Sequence, residues 1–426
     1  MFNLKENNTW TYIKLGDIIT VKHGYAFKGS NFTSENTHKV VLTPGNFKIG
    51  GGFKSEKFKF TTEECPSEYV LQGGDIVVSM TDLSKYGDTL GYSALIPKDS
   101  RYKYLHNQRI GLIKFKKEDV SRDFIYWVLR TRDFNRFLVG SATGSTVKHT
   151  SPSIIGEYHF MIPNNRSEQD SISKILSDLD AKIELNQKMN KTLESIAEAI
   201  FKHWFIDFEF PNEEGKPYKS SGGEMVDSEL GEIPKDWALK KLDEIANFLN
   251  GLPLQKYPAS TEDDYLPVIK IKEMNSGISA SSDKASRDIP PEYVVENGDV
   301  LFAWSGSLGV IIWCNGKGAL NQHIFKVSSK EYPKWFYYQW LLHYLPDFIE
   351  IARDKATTMG HIQRHHLSES LVAVPHSNTL EIMDKILSPI IDRIINLRIE
   401  SRTLTEVRDL LLPHLISGKI RVRLEE

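Results

Sequence analysis

VLQGGDIVVSMTD (Val70–Asp82) and VVENGDVLFAWSG (Val294–Gly306) are two versions of one pattern, and the pair decides the fold. In each, a Tyr (Tyr69, Tyr293) precedes a Gly-Asp turn that feeds an apolar strand. One such turn before a buried strand belongs to many folds. Two in one chain ask whether the whole chain is doubled.

Position by position, it is. Trp10, Lys14, Leu15, Ile18 and Gly24 recur as Trp237, Lys241, Leu242, Ile245 and Gly251, at an offset of 227. Gly74-Asp75 and Gly298-Asp299 match at 224, and HNQ (His106–Gln108) answers LNQ (Leu320–Gln322) at 214. FIYWVL (Phe124–Leu129) faces FYYQWL (Phe336–Leu341) at 212, as do His149 with His361 and Pro163 with Pro375. An offset that shrinks in steps while the order is kept is what loop insertions leave behind.

Each copy reads as short strands with one helix near DFIYWVLRTRDFNRFL (Asp123–Leu138), an α/β or α+β module. A helical stretch follows each. The first is expected to open on a capping box of Ser167 and Asp170. Its apolar seam steps by three and four through Ile172, Ile175, Leu179, Ile183, Asn186, Asn190, Leu193, Ile196, Ile200 and Trp204. The second repeats the register through Met383, Ile386, Ile390, Ile394, Leu397, Ser401, Leu404, Val407, Leu411 and Leu415. Such spacing predicts a coiled coil, and the two rods, each roughly 50 Å long, are expected to pack antiparallel. Asn186 and Asn190 are polar seam positions that fix register. Pro389 should kink the second rod or mark a late start. The domains expected are a first module at 1–163, a rod at 164–210, an exposed linker at 211–231, a second module at 232–375 and a second rod at 376–426. The result is a pseudo-two-fold internal repeat.

The 426 residues are 40% hydrophobic and 26% charged, with net charge −3. That is the balance of a soluble globular protein. No apolar run is long enough to span a membrane or serve as a signal peptide. Cys65 and Cys314 stand alone, so a reduced, cytoplasmic protein is expected. Residues 1–163 carry 22 Lys and Arg against 16 Asp and Glu; residues 232–375 carry 15 against 18. Only the first module has the basic excess that nucleic-acid binding favours.

Two related but different readers held at a set distance suit paired, unequal half-sites on duplex DNA. Here the chain resembles the specificity subunits of type I restriction–modification systems. The resemblance rests on GYAFKGSNF (Gly24–Phe32), GLPLQKYP (Gly251–Pro258) and the two Gly-Asp strands. The rod EQDSISKILSDLDAKIELNQKMNKTLESIAEAIFKHWF and the junction ELGEIPKDWALKKLDEI add to it. It covers nearly the whole chain. It implies that each module is a target recognition domain and that the rods dock two methyltransferase subunits. It also implies restriction subunits that join the complex. S-adenosylmethionine would then belong to the methyltransferase subunits, and ATP and Mg to the restriction subunits, with no cofactor on this chain. A coiled-coil adaptor with two protein-binding modules is the other reading the doubling allows.

The chain shows no catalytic constellation of its own. CNGKGAL (Cys314–Leu320) lacks phosphate-loop spacing, and IPPEY (Ile289–Tyr293) has the wrong order for an amino-methyltransferase motif. The histidines of HIQRHH (His361–His366) have no acidic or Cys ligand at metal spacing, so they read as surface residues. Candidate DNA contacts are Lys22, His23 and Lys28 around the Gly24 turn, with Gln255 and Lys256 in the matching place. Lys85, Trp304 and Ser305 follow the Gly-Asp strands, and Trp304 reads equally well as core. Lys148, His149, His361, Gln363 and Arg364 precede each module's last strand. Lys and Arg suit phosphate or guanine, and Gln suits adenine. Ile172, Ile175, Leu179, Ile183, Leu193, Ile200, Phe201, Trp204, Ile386, Ile390, Ile394, Leu404, Leu411 and Leu415 read as coiled-coil or partner interface. Leu176, Phe201, Phe205 and Leu412 are expected to stay open for partner helices.

Overall fold

The Gly-Asp turns build themselves the same way twice. Gly74 and Gly298 sit at φ +89° and +92°, the left-handed region that glycine adopts without strain. Asp75 accepts the Gln72 N–H at 2.9 Å, and Asp299 accepts the Glu296 N–H at 2.8 Å. The computed structural model describes residues 9–84, 86–144, 147–261, 263–354 and 360–423. It divides into two compact units, Met1–Ala181 with Leu404–Glu426, and Lys182–Thr403.

In the first unit, β1 (Trp10–Lys14) pairs antiparallel with β8 (His159–Pro163). A four-stranded sheet has the order β2 (Ile19–His23), β6 (Ile110–Phe115), β3 (Ile76–Ser79), β5 (Ser93–Leu95). Beside it β4 (Thr81–Asp82) pairs with β7 (Lys148–His149). A smaller sheet contains the parallel pair Lys39–Val41 and Lys103–Leu105.

The second unit repeats this plan. Here β9 (Ala238–Lys241) pairs with β14 (Leu371–Val374). The sheet order is β10 (Asn247–Asn250), β13 (Ile324–Ser328), β11 (Val300–Ala303), β12 (Gly309–Ile312). A parallel pair, Leu266–Ile269 with Gly318–Leu320, recurs in a smaller sheet. The matched glycines have a shared reason. A Cβ on Gly24 would lie 2.2 Å from the Asn107 carbonyl oxygen, and one on Gly251 would lie 2.2 Å from that of Asn321.

The helices depart from the sequence expectation in two places, and at Pro389 one of two expected outcomes is excluded. DFIYWVLRTRDFNRFL forms two helices, α1 (Arg122–Val128) and α2 (Arg132–Ser141), not one. Thr131 separates them, its side chain accepting the Phe134 N–H as an N-cap. The second unit has a single α4 (Lys334–Asp354) at that place, followed by α5 (Arg364–Glu369). The first long helix, α3 (Arg166–Phe201), is capped by Asn165, whose side chain accepts the Ser167 N–H at 2.8 Å. The Ser167–Asp170 box is therefore not the cap; Asp170 pairs with Arg166 at 3.6 Å. The second, α6 (Ser377–Ile416), runs as one helix past Pro389, so Pro389 marks no late start. Stretch 211–231 is mostly exposed but ordered, with Met225–Ser228 and Gly231–Pro234 forming a hairpin.

Both units pair the helices antiparallel. In the first, Asp180 meets Arg408, and Glu168 meets Arg421 just past the end of α6; in the second, Asn186 meets Glu400 and Glu194 meets Arg398. The first core joins Ile172, Leu176, Leu412, Leu415 and Ile416 to Phe124 and Trp127. The second joins Phe201, Trp204, Phe205, Met383, Leu387 and Ile391 to Trp335, Phe336 and Trp340. Burying each of these large side chains contributes about 2–3 kcal/mol. Leu176, Phe201, Phe205 and Leu412 thus lie in the cores and are not open to partners.

Of the interface positions read from sequence, Ile172, Ile183, Phe201, Trp204, Ile394 and Leu415 are buried. Leu179, Leu193, Ile200, Ile390, Leu404 and Leu411 are half-buried, while Ile175 and Ile386 are exposed. The burial falls one residue later, on Leu176, Leu387, Ile391 and Leu412. Adjacent apolar pairs leave the phase of the stripe open, and packing against α1 and α4 chooses it. No helix is long and apolar enough to cross a membrane among the described residues.

Candidate nucleic-acid interface

Each unit carries a short strand bridge at the exit of its Gly-Asp strand. In the first, Thr81 pairs with His149, and the Thr81 hydroxyl lies 3.1 Å from His149 Nδ1. In the second, Ser305 bridges His361, and the Ser305 hydroxyl lies 3.1 Å from His323 Nδ1. The bridge is extended by Ile362 N–H to Trp304 O at 3.0 Å and Gly306 N–H to Gly360 O at 2.8 Å. Candidates separated by more than fifty residues in sequence are therefore neighbours in space.

Around the second bridge the side chains stack. Trp304 lies on Phe325 with centroids 5.7 Å apart, and the Arg364 guanidinium sits 5.7 Å from the same ring. The Trp304 indole N–H donates to Asn250 Oδ1 at 3.0 Å. Trp304 is thus a half-buried wall beside His361, with Arg364 exposed on the Phe325 ring. Arg364 also donates to the Phe248 carbonyl at 3.2 Å. Gln363 is exposed at the start of α5.

The histidine cluster corrects the sequence reading. An acid does lie near: atoms of His365, His366 and Glu369 fall within 4.8 Å of one another. His366 is already used as a cap, its Nδ1 accepting the Gln363 N–H at 2.9 Å.

Of the other candidates, Lys148 lies in the first bridge, paired with Asp82. Lys22 is engaged by Glu68 at 2.6 Å and stacks 4.6 Å over the Tyr69 ring, so its charge is already matched. His23 and Lys28 are exposed, as are Gln255 and Lys256 on the turn Leu254–Lys256. Lys148 is half-buried beside exposed His149. Lys85 lies outside the described residues.

Sequence reasoning missed Arg109 and His323, which follow HNQ and LNQ. The Arg109 N–H donates to Asn107 Oδ1 at 2.9 Å, and the His323 N–H to Asn321 Oδ1 at 3.3 Å. The Arg109 carbonyl then accepts the Met80 N–H at 2.9 Å, putting this turn next to the bridge. The HNQ/LNQ repeat was the signal that pointed to them. Nearby, His106 is buried, its Nε2 2.8 Å from the Ile110 carbonyl and its Nδ1 without a partner. Burial outweighs that hydrogen bond and lowers its pKa to about 4, so the ring is neutral.

Comparison with known proteins bears on this arrangement. The family profile described as "Type I restriction modification DNA specificity domain" matches residues 7–195 and 234–407. A type I restriction enzyme specificity subunit of Methanocaldococcus jannaschii is 27% identical over 315 residues, covering 72% of this chain and 71% of that protein. A specificity subunit of Haemophilus influenzae is 22% identical over 403 residues, covering 79% and 87%. The solved type I restriction–modification S subunit of M. genitalium shares the fold, with TM-score 0.56, 17% identity and coverage of 97% and 98%.

Proposed function

The chain belongs to the specificity subunits of type I restriction–modification systems, and from that premise we propose that each unit reads one half of a bipartite, asymmetric DNA site. The chain is a specificity subunit and not an enzyme by itself. The observation that carries the two-site reading is the doubled bridge. One scaffold holds Thr81, His149 and Arg109 in the first unit and Ser305, His361 and His323 at the same place in the second. A shared scaffold with different side chains at its exposed edge suits two unequal half-sites.

In this reading His149, Lys148 and Arg109 face the first half-site, and His361, Gln363, Arg364 and His323 face the second. His23, Lys28, Gln255 and Lys256 contact the flanking backbone. Double-stranded DNA is the ligand. The helices α3 and α6 dock two methyltransferase subunits, which bring S-adenosylmethionine, and restriction subunits bring ATP and Mg to the assembly. Exposed Ile175, Val407 and Leu410 in the first unit, and exposed Leu185, Ile196 and Ile386 in the second, are apolar positions each unit offers for that docking. The adaptor reading has no observation in its favour.

Methylome sequencing of cells carrying this chain with its methyltransferase partner tests the proposal. A two-part motif with unequal halves is expected. Exchanging residues 1–163 for the first module of another family member should change one half and leave the other intact. A single contiguous motif, or both halves changing together, would overturn it.

A further inference from the structure

The two units differ in the connection that follows the bridge. In the second, β11 reaches β12 through five residues, 304–308. In the first, β3 reaches β5 through thirteen, 80–92. The eight extra residues sit directly after Thr81, where the short copy goes from Ser305 straight into its turn.

The longer connection is built around a buried carboxylate. Asp82 is 3% exposed and accepts the Ser84 N–H at 2.5 Å and the Thr89 hydroxyl at 2.7 Å, together with the Thr89 N–H. Burial pushes this carboxyl up, but the Thr89 and Ser84 donors outweigh it and hold it below the usual aspartate range. From the other side Asn135 of α2 donates to the Gly87 and Leu90 carbonyls at 3.0 and 2.8 Å. Gly91, at φ +81°, lies so close to α2 that a Cβ would be 2.2 Å from Leu138 Cδ1. Leu90 is fully buried. The described residues of this connection are thus held at Asp82, Asn135 and Leu90.

What it presents is unusual. Leu83 is 66% exposed and Tyr86 71% exposed, beside exposed His149 and half-buried Lys148. Two large, mostly exposed side chains near the Lys148 ammonium fit a surface that an apolar and anionic ligand covers. We infer that this connection is the specificity element of the first unit: Leu83 and Tyr86 make apolar contact with a thymine methyl of its half-site, and Asp82 and Asn135 are positioning residues. The inference rests on the DNA-reading function proposed above. Thymine's methyl is the one apolar group the major groove displays, and backbone phosphate supplies the charge for Lys148.

The test uses the assembled methyltransferase complex on duplexes carrying the motif found for the wild type. Leu83→Ala with Tyr86→Ala, both surface changes, should lower methylation at least tenfold and relax a thymine position in the first half-site only. Replacing that thymine by uracil should cost the wild type a similar factor and the double variant almost nothing more. Asp82→Asn should relax the same position and leave the second half-site unchanged. A merely structural loss would instead lower methylation at every site without altering base preference. If the double variant keeps the wild-type rate and motif, or if Asp82→Asn lowers all sites alike, the assignment is wrong. A wild-type complex with no bipartite motif would instead remove the function on which the assignment rests.

Discussion

The Arg130 guanidinium and the Asp180 carboxylate form a buried ion pair between the first module and α3, and Arg408 of α6 joins the same carboxylate. Arg130 is 3% exposed, and its guanidinium also stacks 4.3 Å over the Trp127 ring. One carboxylate thus links module and both helices within the first unit.

Removing that carboxylate leaves buried Arg130 without its counter-ion, while part-buried Arg408 keeps Asp409 at 2.7 Å. Asp180→Ala should cost about 3–5 kcal/mol, read as a fall in the urea midpoint of unfolding. Converting all three residues to apolar ones of similar size should recover most of the loss. A single-variant cost under about 1 kcal/mol would show that water reaches the pair.

His106 makes stability depend on pH in the acid range. Its folded pKa, about 4, lies below the usual value of 6.5, so the neutral ring stabilises fully above pH 6.5. That stability is lost as pH falls from about 6.5 through about 4, amounting to about 3 kcal/mol for the whole window. His106→Leu copies Leu320 of the second unit and removes an unpaired buried nitrogen. The variant's stability profile, followed by denaturation from pH 7 to pH 4, should be flatter than the wild type's over that window. Identical slopes would place the titration elsewhere.

Asn186 and Asn190 are buried in the helix pair of the second unit, each with its Oδ1 unpaired. Asn186 Nδ2 donates to Glu400 at 2.9 Å. Asn190→Leu should stabilise by about 1 kcal/mol, since it removes an unsatisfied acceptor. Asn186→Leu should gain less, because it also breaks the Glu400 contact, and should loosen register. Thermal melts of the two variants give the order; the reverse order would mean Glu400 contributes nothing.

If the paired helices set the gap between half-sites, shortening both must shorten it. Removing seven residues from each, 186–192 and 394–400, keeps the seam facing inward and takes out roughly 10 Å. The DNA spacer should then fall by about three base pairs at roughly 3.4 Å each, with the bases read in each half unchanged. Methylome sequencing reads both. An unchanged spacer would separate the helices from the ruler role.

The doubling, the turns and the long helices were legible because their causes are local. Gly74 and Gly298 need positive φ, Asp75 and Asp299 close their own turns, and apolar steps of three and four make a helix wherever they occur. Gly24 and Gly251 were legible only as a repeated pair; the carbonyls of Asn107 and Asn321 that require them lie seventy or more residues away.

The sequence by itself determined that there are two copies of one module, each followed by a long amphipathic helix. Tertiary structure alone decided which side of each helix is buried. At Ile386-Leu387, Ile390-Ile391 and Leu411-Leu412 two adjacent side chains are equally apolar, and the neighbour they pack against selects the second. It also decided which polar groups are free to meet a ligand. Lys22 is taken by Glu68, and Trp304 is fixed by Asn250 and Phe325. Asp82 gathers Ser84 and Thr89 into a platform that no short-range pattern announces. Helix and turn follow from bonds a few residues long, whereas burial and ion pairing follow from which distant surfaces meet.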